Sequence, residues 1–260
     1  RKIVMDPILY AIAISTLAGS ATGLGALIVL VLGKRSDNIL GMMLGFASGT
    51  MIAVAALILI IESEALTNVI WAALGFALGA FVMLIVDARL PHFHVTCEYE
   101  GGQKESTTRD LASLKCGILI ALGITIHNFP EGLSVATGFA ITPSLGLIIA
   151  VSIGFHNIPE GIAVAIPLYK AGMRKDQLFL VTLLSGLSEP LAATISLLLL
   201  LQVSIFVQAI FLAFAGGAMI YLVCDELAPQ AHSEKTHEHI PIIGLVAGFL
   251  IILLLKGFLA

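Results

Sequence analysis

His127-Asn128-Phe129-Pro130-Glu131-Gly132 and its near-copy His156-Asn157-Ile158-Pro159-Glu160-Gly161 decide how this chain is read. Both units interrupt long apolar runs, where a charge or an unpaired polar group is costly and marks function. Within each unit the His and the Glu are four positions apart, so on a helix they share one face about one turn apart. The intervening proline has no N–H to donate, which frees the carbonyls of Ile126 and Phe155 and predicts a kink in each helix. Two such units on helices running in opposite directions describe a metal site in the middle of a membrane.

The rest of the chain supplies that membrane. Of 260 residues, 58% are hydrophobic and 12% charged, and the mean hydropathy is +1.05. Soluble domains carry about 25% charged residues, so the composition belongs to the membrane class. The apolar runs are continuous rather than alternating, which favours helices over a β-barrel. Eight spans are expected, at about 7–33, 39–61, 69–90, 113–139, 143–168, 177–201, 204–228 and 240–259. The fold class is therefore an all-α membrane protein of one transporter domain, 1–260, with kinked fourth and fifth helices. The polar stretch 91–112 is expected to be a loop between the third and fourth. The short Thr142-Pro143-Ser144 break forces those two kinked helices to run antiparallel.

Charge then orients the protein. Of the 13 Lys and Arg, all but Arg1, Lys2 and Lys256 fall in loops one, three, five and seven. Under the positive-inside rule those loops are cytoplasmic and both termini lie on the extracytoplasmic side. The three cysteines form no CxxC pair, so neither a disulfide framework nor a thiolate metal site is indicated. The first apolar run lacks a small-residue cleavage pattern and is expected to be a span, which suits a bacterial cytoplasmic membrane. Glycines four apart (Gly19 and Gly23; Gly41, Gly45 and Gly49; Gly75 and Gly79; Gly244 and Gly248) predict close helix packing, with a homodimer interface or a sliding surface as the sharper alternatives.

Counting from the Thr142–Ser144 turn at ~1.5 Å per residue puts His127 and His156 about 22 and 18 Å deep. Both are near the midplane of a core roughly 30 Å thick. Glu189, in Ser185-Gly186-Leu187-Ser188-Glu189-Pro190, adds a third carboxylate from the sixth span. A lone midplane glutamate is explained by protonation and a hydrogen bond to a neighbouring helix. Three glutamates, two histidines and two asparagines at one depth require protons or a cation to offset their repulsion. Imidazole with carboxylate and no thiolate suits Zn2+, Fe2+, Mn2+, Co2+ or Cd2+, and argues against copper(I), magnesium and calcium. The side-chain oxygens of Asn128 and Asn157 are the expected hard ligands at a second position.

Weaker candidates lie nearer the membrane faces. Asp225 and Glu226 are at the cytoplasmic end of span seven, as a solvated helix end or an exit-side ligand pair, and His232 belongs with them. His92, His94, His237 and His239 are expected in cytoplasmic loops, either as ordinary solvated polar residues or as contacts for released metal. Glu62 and Glu64 on the outer side are entrance candidates. Divalent metal ions and the lipid bilayer are the expected partners; nothing points to nucleic acid or an organic cofactor.

An intramembrane enzyme fits poorly. Metalloproteases use His-Glu-x-x-His and di-iron bundles Glu-x-x-His, and neither arrangement is present in these units. A metal-selective channel is the main alternative, but channels need weak, multi-site binding, whereas a compact His/Glu site binds tightly. A structural metal that only staples helices is the third reading.

The paired HNxPEG units, SGLSEP at 185–190 and GGAMIYLVCDELAPQAH at 216–232 resemble the ZIP (Zrt/Irt-like) family of divalent-metal transporters, most closely its GufA-like branch. The resemblance covers essentially the whole chain. It implies uptake of metal, zinc foremost, into the cytoplasm through a binuclear midplane site. It assigns His127, Glu131, His156 and Glu160 to the first position. Asn128, Asn157 and Glu189 form the second, with Glu131 and Glu160 able to bridge. Some relatives carry Asp in place of Asn157, so this chain's second position has one charge fewer. The resemblance also implies an elevator-like step in which spans one, four, five and six move against two, three, seven and eight.

Overall fold

The computed structural model describes residues 7–32, 37–89, 106–232 and 236–259. Every regular element among them is helical. Helices α1 (Pro7–Leu32) and α2 (Asp37–Val54) are followed by a π-helical turn, Ala55–Leu59, which leads into α3 (Ile60–Leu66). Then come α4 (Val69–Arg89), α5 (Ser106–Ile141), α6 (Pro143–Lys170), α7 (Lys175–Gly186) and α8 (Ser188–Leu200). α9 (Ile205–Leu222) passes through a second π-helical turn, Val223–Leu227, into α10 (Ala228–Ala231), and α11 (Ile240–Leu259) ends the chain.

Seven stretches among the described residues are long and apolar enough to cross a membrane: 8–31, 38–66, 69–89, 143–170, 175–200, 205–231 and 240–258. They coincide with seven of the eight expected spans. The other, 113–139, lies within α5, a helix of 36 residues that carries His127, Asn128 and Glu131 and is less apolar than α1, α2, α4, α6, α9 or α11. Of the expected loop 91–112, residues to 105 fall outside the described ones, and α5 already begins at Ser106.

Local sequence explains the helix boundaries. Thr142 is extended at φ −150° and its side chain accepts from the Leu145 amide at 3.2 Å, while Pro143 takes the first helical position. One residue thus separates α5 from α6 and reverses the chain. α6 closes at Gly172, whose φ of +75° suits glycine, and the Met173 amide returns to the Leu168 carbonyl at 3.2 Å. α5 and α6 remain helical through Pro130 and Pro159. A break falls in the sixth span, at Leu187 between α7 and α8, where Pro190 leaves the Gly186 carbonyl without its usual helical donor.

The helices pack as two groups. In one, α1 lies on α6, α7 and α8, and α5 lies on α6 and α8; in the other, α2 pairs with α11 and α4 with α9. The groups meet where α2 packs on α6 and α5 on α9. A core including Met51, Val54, Leu59, Ile149, Ile153, Leu212 and Met219 fills that seam. Each glycine stripe is occupied within the chain. Gly45 and Gly49 face the backbone of α11 at Pro241 and Leu245, Gly79 faces Phe214, and Gly244 faces Met42. Gly25 and Gly161 let α1 and α6 touch backbone to backbone. The expected close packing is the observed use of this spacing.

Candidate metal centre

The two HNxPEG units meet because α5 and α6 leave a one-residue turn in opposite directions, at nearly equal distances from it. On α5, His127, Asn128 and Glu131 are buried; on α6, His156, Asn157 and Glu160 are buried. Glu189, in the first turn of α8, is buried as well. Gly132 gives α5 the clearance to reach α8, since a Cβ there would strike the Glu189 carbonyl.

Three of these residues form a compact donor set. Glu131, His156 and Glu160 each offer one ligand atom, all within 4.8 Å of one another. Nε2 of His156 is 3.0 Å from Oε1 of Glu131, yet neither atom makes an aligned hydrogen bond, and both carboxylate oxygens of Glu160 are likewise without partners. Buried carboxylates are normally hydrogen-bonded or paired, because an unpartnered buried charge is very costly. Oxygen and imidazole donors gathered this closely, paired only with one another across the His156–Glu131 contact, could hold a cation. A divalent ion there would compete with protons for the same atoms.

The remaining predicted ligands divide between two neighbouring arrangements. His127 turns toward α9, its Nε2 3.1 Å from Oε2 of Glu226. Glu226 reaches it from the π-helical turn Val223–Leu227, whose wider register changes which face the following residues present. Beside this pair, a cavity of about 20 Å³ is lined by Asp87, Tyr221, Asp225, Glu226 and His127, among others. That is room for one water-sized guest. Tyr221 donates to Asp87 at 3.3 Å across this space.

At the α7–α8 break, Asn157 donates to Oε2 of Glu189 at 2.7 Å and to the Ala18 carbonyl of α1 at 2.9 Å. Asn128 donates to the Ser185 carbonyl at 2.7 Å and to the Ser188 hydroxyl at 3.1 Å. The Oδ1 atoms of both asparagines and Oε1 of Glu189 are buried and without partners. Ser185, Ser188 and Ala18 were not singled out in the sequence, although the two serines flank Glu189 within SGLSEP; the Ala18 contact is made by a backbone carbonyl and leaves no side-chain signal.

His232 is exposed and its Nδ1 donates to the Ala228 carbonyl of its own helix at 2.9 Å. The exposed His237 and His239 rings lie 5.5 Å apart, with His239 3.4 Å from Glu238. Glu62 is half-buried and Glu64 exposed on α3. His92 and His94 lie outside the described residues.

Membrane-length helices around a buried, unanswered His/Glu donor set define a class: integral membrane proteins that carry a divalent metal. The family model for the ZIP zinc transporters matches residues 94–256. Curated relatives named zinc transporter ZupT include that of Chlorobaculum parvum, 36% identical over 95% of this chain and 96% of its own. Those of Streptococcus mutans, 35% identical over 93% and 94%, and Clostridium perfringens, 33% over 95% of each, are similar. The chain belongs to the ZIP zinc transporter family. It is accordingly an integral membrane transporter of divalent metal and not an enzyme, and its bacterial relatives put it in the cytoplasmic membrane.

Proposed function

We propose that this protein takes up a divalent transition metal, Zn2+ first, into the cytoplasm through the buried centre on α5, α6 and α8. The observation that carries this reading is the cluster of Glu131, His156 and Glu160, whose buried donor atoms lie within 4.8 Å of one another and make no hydrogen bonds. The named substrate of the ZupT relatives supports zinc; Fe2+, Mn2+, Co2+ and Cd2+ suit the same donors.

In this reading the arriving ion exchanges its water for Glu131, His156 and Glu160, with His127 joining when it leaves Glu226. A second ion is held by Asn128, Asn157 and Glu189, with Glu131 and Glu160 bridging. Eight spans, α5 included, put both termini outside and the basic loops inside, so that metal passes from the Glu62 and Glu64 side toward Asp225, Glu226 and His232. The loop histidines His92, His94, His237 and His239 then contact it in the cytoplasm. Transport follows from movement of α1, α5, α6, α7 and α8 against α2, α4, α9 and α11, the two packed groups of the fold, with bends at Pro130 and Pro159. The exposed apolar faces of α4 and α11 meet lipid or, in a homodimer, a second copy.

The test is zinc uptake into proteoliposomes by wild type, Glu131→Ala and Glu160→Ala, with and without a pH gradient. The expected result is saturable uptake that falls at least about tenfold in both variants, a loss on the scale of removing a ligand's support. Uptake at the wild-type rate in both would rule out the site.

A further inference from the structure

We propose that Ser188 is a positioning residue that fixes the donor set of the second metal position by locking the Asn128 amide with its oxygen inward. This rests on the reading that Asn128, Asn157 and Glu189 hold a second ion.

The amide orientations follow from acceptor chemistry. A backbone carbonyl can only accept, so the Asn128 atom 2.7 Å from the Ser185 carbonyl must be Nδ2. The same argument at Ala18, 2.9 Å away, fixes Nδ2 of Asn157. Each nitrogen has two hydrogens and each has two acceptors. For Asn157 the second is Oε2 of Glu189, and for Asn128 it is the Ser188 hydroxyl at 3.1 Å. Ser188 can accept there because its own proton goes to the Ser185 carbonyl at 2.5 Å. Both amide nitrogens are fully committed, and both Oδ1 atoms remain buried and unanswered.

Two locked amide oxygens and one carboxylate oxygen make a hard, all-oxygen position, beside a position that contains imidazole. The two asparagines are held differently. Asn157 is tied partly by Glu189, itself a ligand of the second ion, whereas Asn128 is tied only by groups that bind no metal. Without the Ser188 hydroxyl, one Asn128 hydrogen loses its acceptor and the amide is held by the Ser185 carbonyl alone. Its plane can then swing about that single bond, and Oδ1 is no longer fixed toward the ion.

The experiment measures KM and Vmax for Mn2+ and Cd2+ uptake in proteoliposomes carrying wild type, Ser188→Ala, Ser188→Thr and Asn128→Ala. KM does not depend on how much protein folds, so partial misassembly moves Vmax alone. Ser188→Ala is expected to raise KM for Mn2+ about tenfold, the usual effect of removing an outer partner of a metal ligand. KM for Cd2+, a softer ion less dependent on oxygen donors, should change about twofold at most. Ser188→Thr, which keeps the hydroxyl, should restore wild-type values. Where the alanine variant does not assemble, Ser188→Cys, a weaker partner of similar size, should raise KM for Mn2+ partway. An unchanged KM for Mn2+ in Ser188→Ala or Ser188→Cys, with Asn128→Ala at least tenfold impaired, would overturn the positioning role while leaving the second position intact. Wild-type KM values in Asn128→Ala would remove the second position itself, and this inference with it.

Discussion

Nε2 of His127 lies 3.1 Å from Oε2 of Glu226, and this pair ties α5 to the π-helical turn of α9. The two helices belong to different packed groups, so the contact spans the seam between them. It also takes one imidazole away from the neighbouring Glu131, His156 and Glu160 cluster. In the proposed site His127 would exchange this carboxylate across the seam for the ion.

Glu226→Ala should lower zinc uptake by about tenfold, the scale of losing a strong, charge-assisted partner. His232→Ala should leave it within about twofold, because that ring is exposed and bonded to its own helix end. Radiometric uptake at equal protein density in vesicles measures both.

Zinc should stabilise the protein in detergent, because it answers buried donors that otherwise have no partner. At a hundred times its Kd the ion adds about 2.7 kcal/mol, visible as a rise in Tm that a chelator reverses. The rise should shrink as pH is lowered, since protons and metal compete for the same carboxylates and imidazole. Glu131→Gln and Glu160→Gln should each reduce the rise. Thermal melts across a pH and zinc series give the comparison.

Gly79→Ala should cost about 1–3 kcal/mol by overpacking, since a Cβ there would collide with the Phe214 carbonyl and push α4 from α9. Gly257→Ala, on the same kind of apolar helix but with nothing within 4 Å, should stay within about 0.5 kcal/mol. Paired melting curves distinguish a glycine needed for close approach from one that is not.

Lys256→Met should destabilise by about 1–3 kcal/mol, the loss of a charge-assisted hydrogen bond. Nζ of Lys256 donates to the Leu57 carbonyl in the π-helical turn Ala55–Leu59 and so joins α11 to that turn. Protection of the Ala55–Leu59 amides in hydrogen exchange should fall in the variant, with little change near α6.

The ligand-bearing faces were legible from spacing alone. His127 with Glu131, and His156 with Glu160, share a helix face because four residues make about one turn, and the short Thr142 link sets the two units at similar depth. Glu189 stood out because a carboxylate in an apolar run is rare. The glycine stripes announced close packing, since only small residues let helix backbones touch.

What spacing could not supply was everything that depends on a partner distant in sequence. Helical counting left Glu226 near a membrane face; the π-helical turn and the packing of α9 on α5 bring it to His127. No spacing marked the interruption in helix at Leu187, where Ser188 and the Ser185 carbonyl are given to Asn128. The sequence by itself determined that this is a helical membrane protein with His, Asn and Glu side chains set in its apolar spans, because hydropathy and helical periodicity are local properties. Only the tertiary structure decided which donors share one point, which histidine turns away, and which way each amide faces, because those depend on acceptors brought in by other helices.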